Sequence, residues 1–137
     1  MQEVLTMREI LFRGKRIDNG EWVEGSLLLL KKPILYAAIT YQHEWRDGKL
    51  TLVRVDVDPS TVGQYTGKRD KNGKRIFEGD VVYDGFSKDK VVFEDCQWKL
   101  VDRHGMWIDL FSREVEVIGD LHGNPELLEG GSGNAIT

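Results

Sequence analysis

Short stretches in which apolar and polar residues alternate recur along this chain. The clearest is Thr51 to Asp58, where three valines alternate with charged residues. Such a pattern is typical of a strand with one buried face. Glu114 to Ile118 alternates in the same way, with Val115 and Val117 predicted to point inward. These stretches recur at a spacing of about 8–12 residues with glycine turns between them, which favours a barrel or a sandwich of strands.

The same reading predicts strands elsewhere along the chain. The four consecutive leucines that end at Leu30 have no polar face, so that strand is predicted to be buried on both sides. Tyr41 to Asp47 has no clear period and is ambiguous, and a loop is one interpretation. The further predicted strands are Arg8 to Ile17, Glu21 to Leu30, Ile34 to Thr40, Gly79 to Gly85, Lys90 to Glu94, Trp98 to Asp102 and Met106 to Phe111.

A near-repeat marks two hairpins. Gly14 to Gly20 and Gly67 to Gly73 share Gly, Lys, Arg, Asn and Gly at equal offsets, and each copy then reaches an apolar pair followed by Glu-Gly. Asn-Gly between extended runs is the strongest short-range hairpin signal. The second copy has one extra residue before Glu-Gly, so its returning strand leaves in a different register. The repeat therefore predicts two similar charged turns.

These elements predict a mainly β fold. We expect one β-rich domain at residues 7–129 whose closing half, from Gly79 onward, is an SH3-like small barrel, although an OB-type barrel fits as well. Pro125 can begin one short C-terminal helix ending at Glu129. Residues 1–6 are interpreted as a flexible leader and residues 130–137 as a disordered tail.

Charge and cysteine content narrow the classes of function. The net charge of −4 argues against a dedicated nucleic-acid binder, which is usually basic over the whole domain. The single cysteine, Cys96, allows no disulfide within the chain and suits a reducing compartment. The longest apolar run is far shorter than the roughly 20 residues of a membrane span. We therefore expect a cytoplasmic protein that does not bind membranes.

Several motifs in order resemble one family. They span nearly the whole chain, from Met7 to about Glu129, and are Met7 to Lys15, Trp22 to Gly25, Thr61 to Gly67, Asp70 to Gly73, Ile76 to Val82, Glu116 to Gly119 and Asn124 to Leu128. This arrangement resembles the YopX-like proteins of phages and prophages. The resemblance implies a mostly β protein with an SH3-type barrel and an accessory role in a phage or prophage. It transfers no catalytic residues to this chain.

Candidate catalytic motifs are incomplete. Asp120 and His122, directly after a strand, resemble the first metal motif of calcineurin-like metallophosphoesterases, but the residues that follow lack the other ligands. Cys96 has no adjacent basic residue that would lower its pKa, which favours a buried or half-buried structural thiol. The numerous acids fit solvated strand faces. We expect no enzyme, cofactor or metal site, and a metal-dependent hydrolase is the least favoured alternative.

The basic residues cluster at the two predicted turns. If the turns lie side by side, their cations form one patch that could contact phosphates. Cations at strand edges also keep hairpins soluble, and this second explanation is the one we favour. The candidate contact residues are Arg13, Lys15, Arg16, Lys68, Arg69, Lys71, Lys74 and Arg75.

The leading functional hypothesis is a binding module. We expect it to contact an unidentified phage or host protein, or a second copy of itself, because small β domains leave open strand edges. The four tryptophans are predicted to lie mostly in the core, with Trp45 the one most exposed. Weak nucleic-acid binding through the basic hairpins is the alternative.

Overall fold

The computed structural model describes residues 8–129, which are almost entirely strands and turns. Single 3-10 turns lie at Pro59–Thr61, Leu110–Ser112 and Pro125–Leu127. Among these residues no helix has the length and apolar content required to cross a membrane. The strands are β1 Phe12–Lys15, β2 Trp22–Leu30, β3 Tyr36–Glu44, β4 Leu50–Val57, β5 Gly63–Arg69, β6 Arg75–Phe77, β7 Asp80–Tyr83, β8 Lys88–Glu94, β9 Gln97–Val101, β10 Trp107–Asp109 and β11 Glu116–Asp120.

The chain divides into two compact units, and the boundary lies within β5, between Tyr65 and Thr66. In unit 1 the strand order is β4-β3-β2-β1-β5, all antiparallel. Ala37, Ile39 and Val57 form its buried core. The core-facing valines of β4 alternate with exposed charged residues, which confirms the strand predicted from that pattern.

Unit 2 contains the strand order β10-β9-β8-β7-β11, and β5 continues into this unit as the neighbour of β6. Its core is a cluster of fully buried aliphatic side chains from most of these elements: Ile76, Val82, Val91, Leu100, Leu110 and Val115. Val115 and Val117 contribute to this core, as their alternation predicts. Asp80 accepts a hydrogen bond from the N–H of Phe77 at 2.8 Å and fixes the turn into β7.

The fold is mainly β as predicted, but two finer expectations are not confirmed. Within residues 8–129 the strands form open antiparallel sheets and no closed barrel, so the SH3-like barrel is not confirmed. The C-terminal helix is not confirmed either, because Pro125–Leu127 makes a single 3-10 turn. The predicted leader and tail lie outside the described residues, and the extent of the predicted domain stays a prediction.

Three local predictions are wrong. The leucine run lies in β2, but Leu29 and Leu30 are 41% and 48% exposed because the strand extends past the side chains that cover the core. The predicted loop after Tyr41 is a continuation of β3 to Glu44, since pairing with β4 holds it extended. Cys96 is exposed because it occupies the tip of the β8–β9 turn.

The tryptophans also differ from expectation. None of the four is fully buried: Trp22 and Trp98 are half-buried, while Trp45 and Trp107 are each 49% exposed. The exposure predicted for Trp45 is confirmed. Its indole N–H donates to the hydroxyl of Thr51 at 2.9 Å, which holds the ring beside the start of β4.

Candidate interaction surfaces

Hairpin 1, residues 14–25, lies in unit 1, and its cations are engaged with neighbouring side chains. The guanidinium carbon of Arg13 lies 4.1 Å from the ring centroid of Trp22, and Arg13 is only 6% exposed. The ammonium of Lys15 lies 5.3 Å from the same ring. Arg16 donates twice to the carboxylate of Asp18 at 2.9 Å. This contact raises the pKa of Arg16 and lowers the pKa of Asp18.

Hairpin 2, residues 67–79, lies in unit 2, and Lys68 is built into its structure. The ammonium of Lys68 donates to the carbonyl oxygens of Leu110, at 2.8 Å, and of Arg113. Burial lowers the pKa of Lys68, against the opposing charges of nearby acids. Arg69 donates to the carbonyl of Gly73 at 2.9 Å. The first two cations of this hairpin therefore hold backbone carbonyls.

The remaining three cations of hairpin 2 differ in exposure. Lys71 and Lys74 are exposed, and Lys71 lies 3.6 Å from the carboxylate of Glu116. Arg75 is half-buried and has an intramolecular partner. The charge of Lys74 contributes to lowering the pKa of the buried Asp70. Each hairpin thus gathers its own cations, and a single patch formed from both remains a prediction.

The outer edge of β4 is paired at its end with residues 15–17 and is open before that. The N–H of Ile17 donates to the carbonyl of Asp56 at 3.2 Å, and the N–H of Asp58 donates to the carbonyl of Lys15 at 2.9 Å. The N–H and C=O groups of one strand residue point to the same side of the strand, and successive residues alternate between the two sides. The peptide groups of the even-numbered residues of β4 therefore point away from β3. Within residues 8–129, no hydrogen bond reaches the outward peptide groups of Leu50, Leu52 and Arg54.

The side chains along this open edge are apolar and exposed. Leu50 is 55% exposed and Leu52 is 77% exposed, although both belong to regular strand paired with β3. Trp45, at the β3–β4 turn, bonds to Thr51 on the other face of β4 and is in edge-to-face contact with His43, at 4.4 Å between ring centroids. The edge thus combines unpaired backbone with apolar side chains, which is the usual requirement for receiving another strand.

A shallow cavity of about 450 Å³ adjoins the far end of this edge. Its lining is largely charged and is formed by Arg16, Ile17, Asp18, Arg54, Val55 and Asp56. Asp56 accepts a hydrogen bond from the hydroxyl of Tyr36 at 2.6 Å. Arg54 makes no hydrogen bond or ion pair within the described part of the chain. The open edge therefore ends beside an accessible guanidinium.

Two carboxyl groups meet at the β7–β8 turn of unit 2. The hydroxyl of Ser87 donates to Asp89 at 2.7 Å and lies 3.5 Å from an oxygen of Asp84. Burial, then contact with Asp84, raises the pKa of Asp89 to about 7. The pKa of Asp84 is lowered despite burial, because of its contact with Asp89 and the hydrogen bonds donated by the N–H groups of Ser87 and Phe86. These N–H groups donate to Asp84 at 2.9 and 2.7 Å and hold the turn.

The metal-like motif after β11 forms a turn. One carboxylate oxygen of Asp120 accepts hydrogen bonds from the N–H groups of His122, at 2.9 Å, and Gly123, at 2.7 Å. Among residues 8–129, no group of three or more His, Cys, Asp or Glu is placed to hold a metal ion. The motif is therefore explained by local backbone satisfaction.

The edge residues Leu50 and Leu52 were not singled out by sequence. The relevant signal was present, because Leu50 to Val53 has apolar or β-branched residues on both faces at the start of a strand. That pattern does not distinguish a strand buried on both faces from an exposed edge. Only the pairing order, with β4 outermost in unit 1, identifies the edge.

Comparison with known proteins agrees with the resemblance found in the motifs. The family model described as YopX protein matches residues 11–129. Among solved structures, the crystal structure of protein EF1440 from Enterococcus faecalis is similar, with a TM-score of 0.54 and 23% identity over 90% of this chain and 100% of that chain. At this identity the likeness concerns the fold alone. No curated protein matches the chain.

Proposed function

This chain belongs to the YopX family, and we propose that it is a non-enzymatic binding module that acts through protein–protein contacts at the open edge of β4. The observation that supports this most directly is the set of outward peptide groups at Leu50, Leu52 and Arg54, which have no partner among residues 8–129. Strand addition supplies partners for such groups, and main-chain hydrogen bonds then provide affinity.

The edge lacks the usual protection against pairing. Natural edge strands carry proline, bulges or inward charges that prevent another strand from docking. The edge from Leu50 to Arg54 contains no proline, its register with β3 is regular, and its one charged residue, Arg54, lies at its end. Exposed leucines at alternate positions would become covered when a strand is added, which adds apolar burial to the backbone hydrogen bonds.

The class of partner is also a proposal, and it is based on the family. A phage or prophage origin would place the chain in the bacterial cytoplasm, where an extended segment of a phage or host protein is the partner class that fits an open strand edge. The side chains of that segment would alternate between the two faces of the sheet. Its apolar positions would meet Leu50 and Leu52, and an acidic residue near its end would meet Arg54.

Nucleic-acid binding by the basic hairpins has less support. Arg13 is buried against Trp22, and Lys68 holds two backbone carbonyls, so neither presents its charge freely to solvent. Arg16 is neutralised by Asp18. A phosphate-binding surface needs cations that can exchange water and counterions for phosphate. Lys74 meets this requirement better than the cations named above.

The test of the proposed function uses a probe peptide of alternating threonine and valine with a glutamate at each end. It is added to the ¹⁵N-labelled chain, at a concentration where sedimentation shows a monomer. We expect the amides of Leu52 and Arg54 to shift and to become protected from hydrogen exchange. The amides of Val53 and Val55 point towards β3 and should be protected throughout.

The matched control is the same peptide N-methylated at alternate residues, which removes the N–H groups that would pair with β4. It should leave Leu52 and Arg54 unprotected. Two results would contradict the proposed function. One is slow exchange of these two amides in the free monomer, which would mean that the edge is already covered. The other is an unmethylated peptide that leaves both amides unprotected at saturating concentration.

A further inference from the structure

We infer that the strand received by β4 is β4 of a second copy of this chain, antiparallel, with the two-fold axis at Leu52. This inference rests on the proposed function and specifies its partner. It follows from three properties of the edge: which peptide groups are free, where β1 blocks pairing, and which side chains would face each other across the axis.

The free peptide groups define a short window that is symmetric about Leu52. Towards the end of β4, the carbonyl of Asp56 is already occupied by Ile17, so pairing with another strand stops at Arg54. At the other end β4 begins at Leu50. Antiparallel pairing about Leu52 places Leu50 opposite Arg54 of the other copy and uses every free outward peptide group in the window.

Parity supports the same arrangement. In a two-fold antiparallel pair, positions opposite each other have a constant sum of residue numbers. An axis through a residue, such as Leu52, therefore pairs even residues with even residues, whereas an axis between two residues would pair even with odd. All outward peptide groups are at even positions, and each therefore meets an outward group of the other copy. Leu50, Leu52 and Arg54 would form hydrogen-bonded pairs, while Thr51 and Val53 would form the closer pairs without hydrogen bonds.

The side chains that meet across this axis are compatible. Leu52 faces its own copy, and the aliphatic part of Arg54 covers Leu50 on the same face of the sheet. On the other face Thr51 meets Val53, a favourable pair of β-branched residues. No like charges are opposite each other in this register.

Two-fold axes at the next residues of β4 are less favourable than the axis at Leu52. An axis at Val53 would place Leu50 opposite Asp56, whose carbonyl is already bonded to Ile17. It would also bring the two Arg54 side chains closer together. An axis at Arg54 would put the two guanidinium groups directly opposite each other, which is destabilising. The axis at Leu52 is therefore the one that the edge favours.

The contact is small, so association should be weak and reversible. Five residues from each copy, Leu50 to Arg54, contribute an area below that of a standard interface. We expect a monomer–dimer equilibrium that dissociates on dilution. The dimer would therefore form at high local concentration, and another strand could displace the second copy.

Cysteine substitutions test the register. In a Cys96→Ser background, Leu52→Cys should form a disulfide-linked dimer under mild oxidation, because opposed Cα atoms of a hydrogen-bonded pair lie about 5.5 Å apart, within disulfide range. Thr51→Cys and Val53→Cys alone should not cross-link, since each faces the other position across the axis. Cross-linking of Val53→Cys in preference to Leu52→Cys would overturn the register.

Sedimentation equilibrium tests the dimer without a new disulfide. Leu52→Lys should raise the dissociation constant at least about tenfold, because two ammonium groups would meet at the axis. Leu35→Lys is the matched control: Leu35 is 58% exposed but lies outside β4, and this substitution should leave association unchanged. Equal effects of the two substitutions would overturn the inference.

The outcomes separate this inference from the proposed function. A chain that remains monomeric at millimolar concentration, while the threonine–valine peptide still protects Leu52 and Arg54, would overturn the second copy alone. If the peptide also leaves these amides unprotected, both this inference and the proposed function are overturned. A dimer that forms without protection of these amides would show association through another surface, and would overturn this inference.

Discussion

Hairpin 1 and hairpin 2 share Gly, Lys, Arg, Asn and Gly at equal offsets, and comparing them separates what the sequence pattern encodes from what each unit adds. The turn itself is common to both. Gly20 and Gly73 have positive φ values of 73° and 84°, and each donates its N–H to a carbonyl at the start of the turn. The shared Asn-Gly signal therefore predicts the turn correctly in both units.

The other shared glycines serve different purposes. Gly14 and Gly25 of hairpin 1 have ordinary backbone angles but no room for a side chain, because Val57 and the carbonyl of Thr40 lie against them. Gly67 and Gly79 of hairpin 2 have open space around them but positive φ values of 91° and 92°. Identical letters therefore satisfy a packing requirement in one hairpin and a conformational requirement in the other.

The largest expected effect comes from the last glycine of each motif. A Cβ at Gly25 would lie 2.1 Å from the carbonyl oxygen of Thr40, and backbone cannot move aside cheaply. We expect Gly25→Ala to lower the free energy of unfolding by about 3 kcal/mol or more. Gly79→Ala should cost about 1–2 kcal/mol through its positive φ. Urea unfolding of both variants measures the difference, and equal losses would contradict the comparison.

The second largest effect is expected at the position after the shared arginine, which is Asp70 in hairpin 2 and Ile17 in hairpin 1. Asp70 is 7% exposed and accepts hydrogen bonds from the N–H groups of Asn72, Lys74 and Val117 at 2.8–2.9 Å. Its counterpart Ile17 is 67% exposed. We expect Asp70→Ala to cost about 2–3 kcal/mol, since it leaves buried donors unpaired.

The control for this prediction is Ile17→Ala, which removes an exposed side chain and should change stability by less than about 0.5 kcal/mol. Both losses can be read from thermal or urea unfolding monitored by tryptophan fluorescence. A loss for Asp70→Ala no greater than that for Ile17→Ala would show that the three hydrogen bonds add nothing to stability.

Substitutions of the shared lysines, Lys15 and Lys68, should differ less in their effect on stability. Lys68→Met keeps the aliphatic stem but leaves the carbonyls of Leu110 and Arg113 without their donor, at a cost of about 1 kcal/mol. Lys15→Met loses only a half-exposed contact with the ring of Trp22, worth about 0.5 kcal/mol. Chemical denaturation of the paired variants tests the order, and a larger loss for Lys15→Met would reverse it.

The acid dependence of stability should also differ between the hairpins. Burial alone would raise the pKa of Asp70, but hydrogen bonds from Val117, Lys74 and Asn72 lower it overall. Its contribution is therefore present above the unfolded pKa of about 3.9 and is lost as the pH falls through the lower folded value. Asp70→Ala should flatten the stability profile in this acidic range.

The control for the acid profile is Asp18→Asn in hairpin 1. The pKa of Asp18 is lowered by Arg16, but the carboxylate is exposed, and its removal should leave the profile unchanged. Asp89 acts in the opposite direction: its pKa of about 7 means that stability falls as the pH rises from about 4 to 7. Measuring both variants in an Asp89→Asn background removes that contribution, and parallel profiles would contradict the role given to Asp70.

The two hairpins also show which features of the structure could be predicted from the sequence. Asn-Gly specifies a turn through local backbone preferences, so its prediction needed no knowledge of neighbours. The roles of Gly25 and Gly79 depend on what lies against them, which no local pattern contains. Likewise, Leu50 to Val53 shows strand character in its sequence, but its place at the edge is a property of strand order. The candidate edge could therefore be identified only after the pairing was known.

The smallest expected effect concerns the exposed cations, where the hairpins should differ least. A test by Lys68→Glu would confuse charge with folding, because Lys68 holds backbone carbonyls. Lys74→Gln in hairpin 2 and Lys15→Gln in hairpin 1 change charge with little effect on structure. We expect the unmodified chain and both variants to elute from heparin together at low salt, since the net charge is −4. Retention above physiological salt that is lost in Lys74→Gln alone would revive nucleic-acid binding and assign it to hairpin 2; equal losses in both variants would favour a patch shared by the two hairpins.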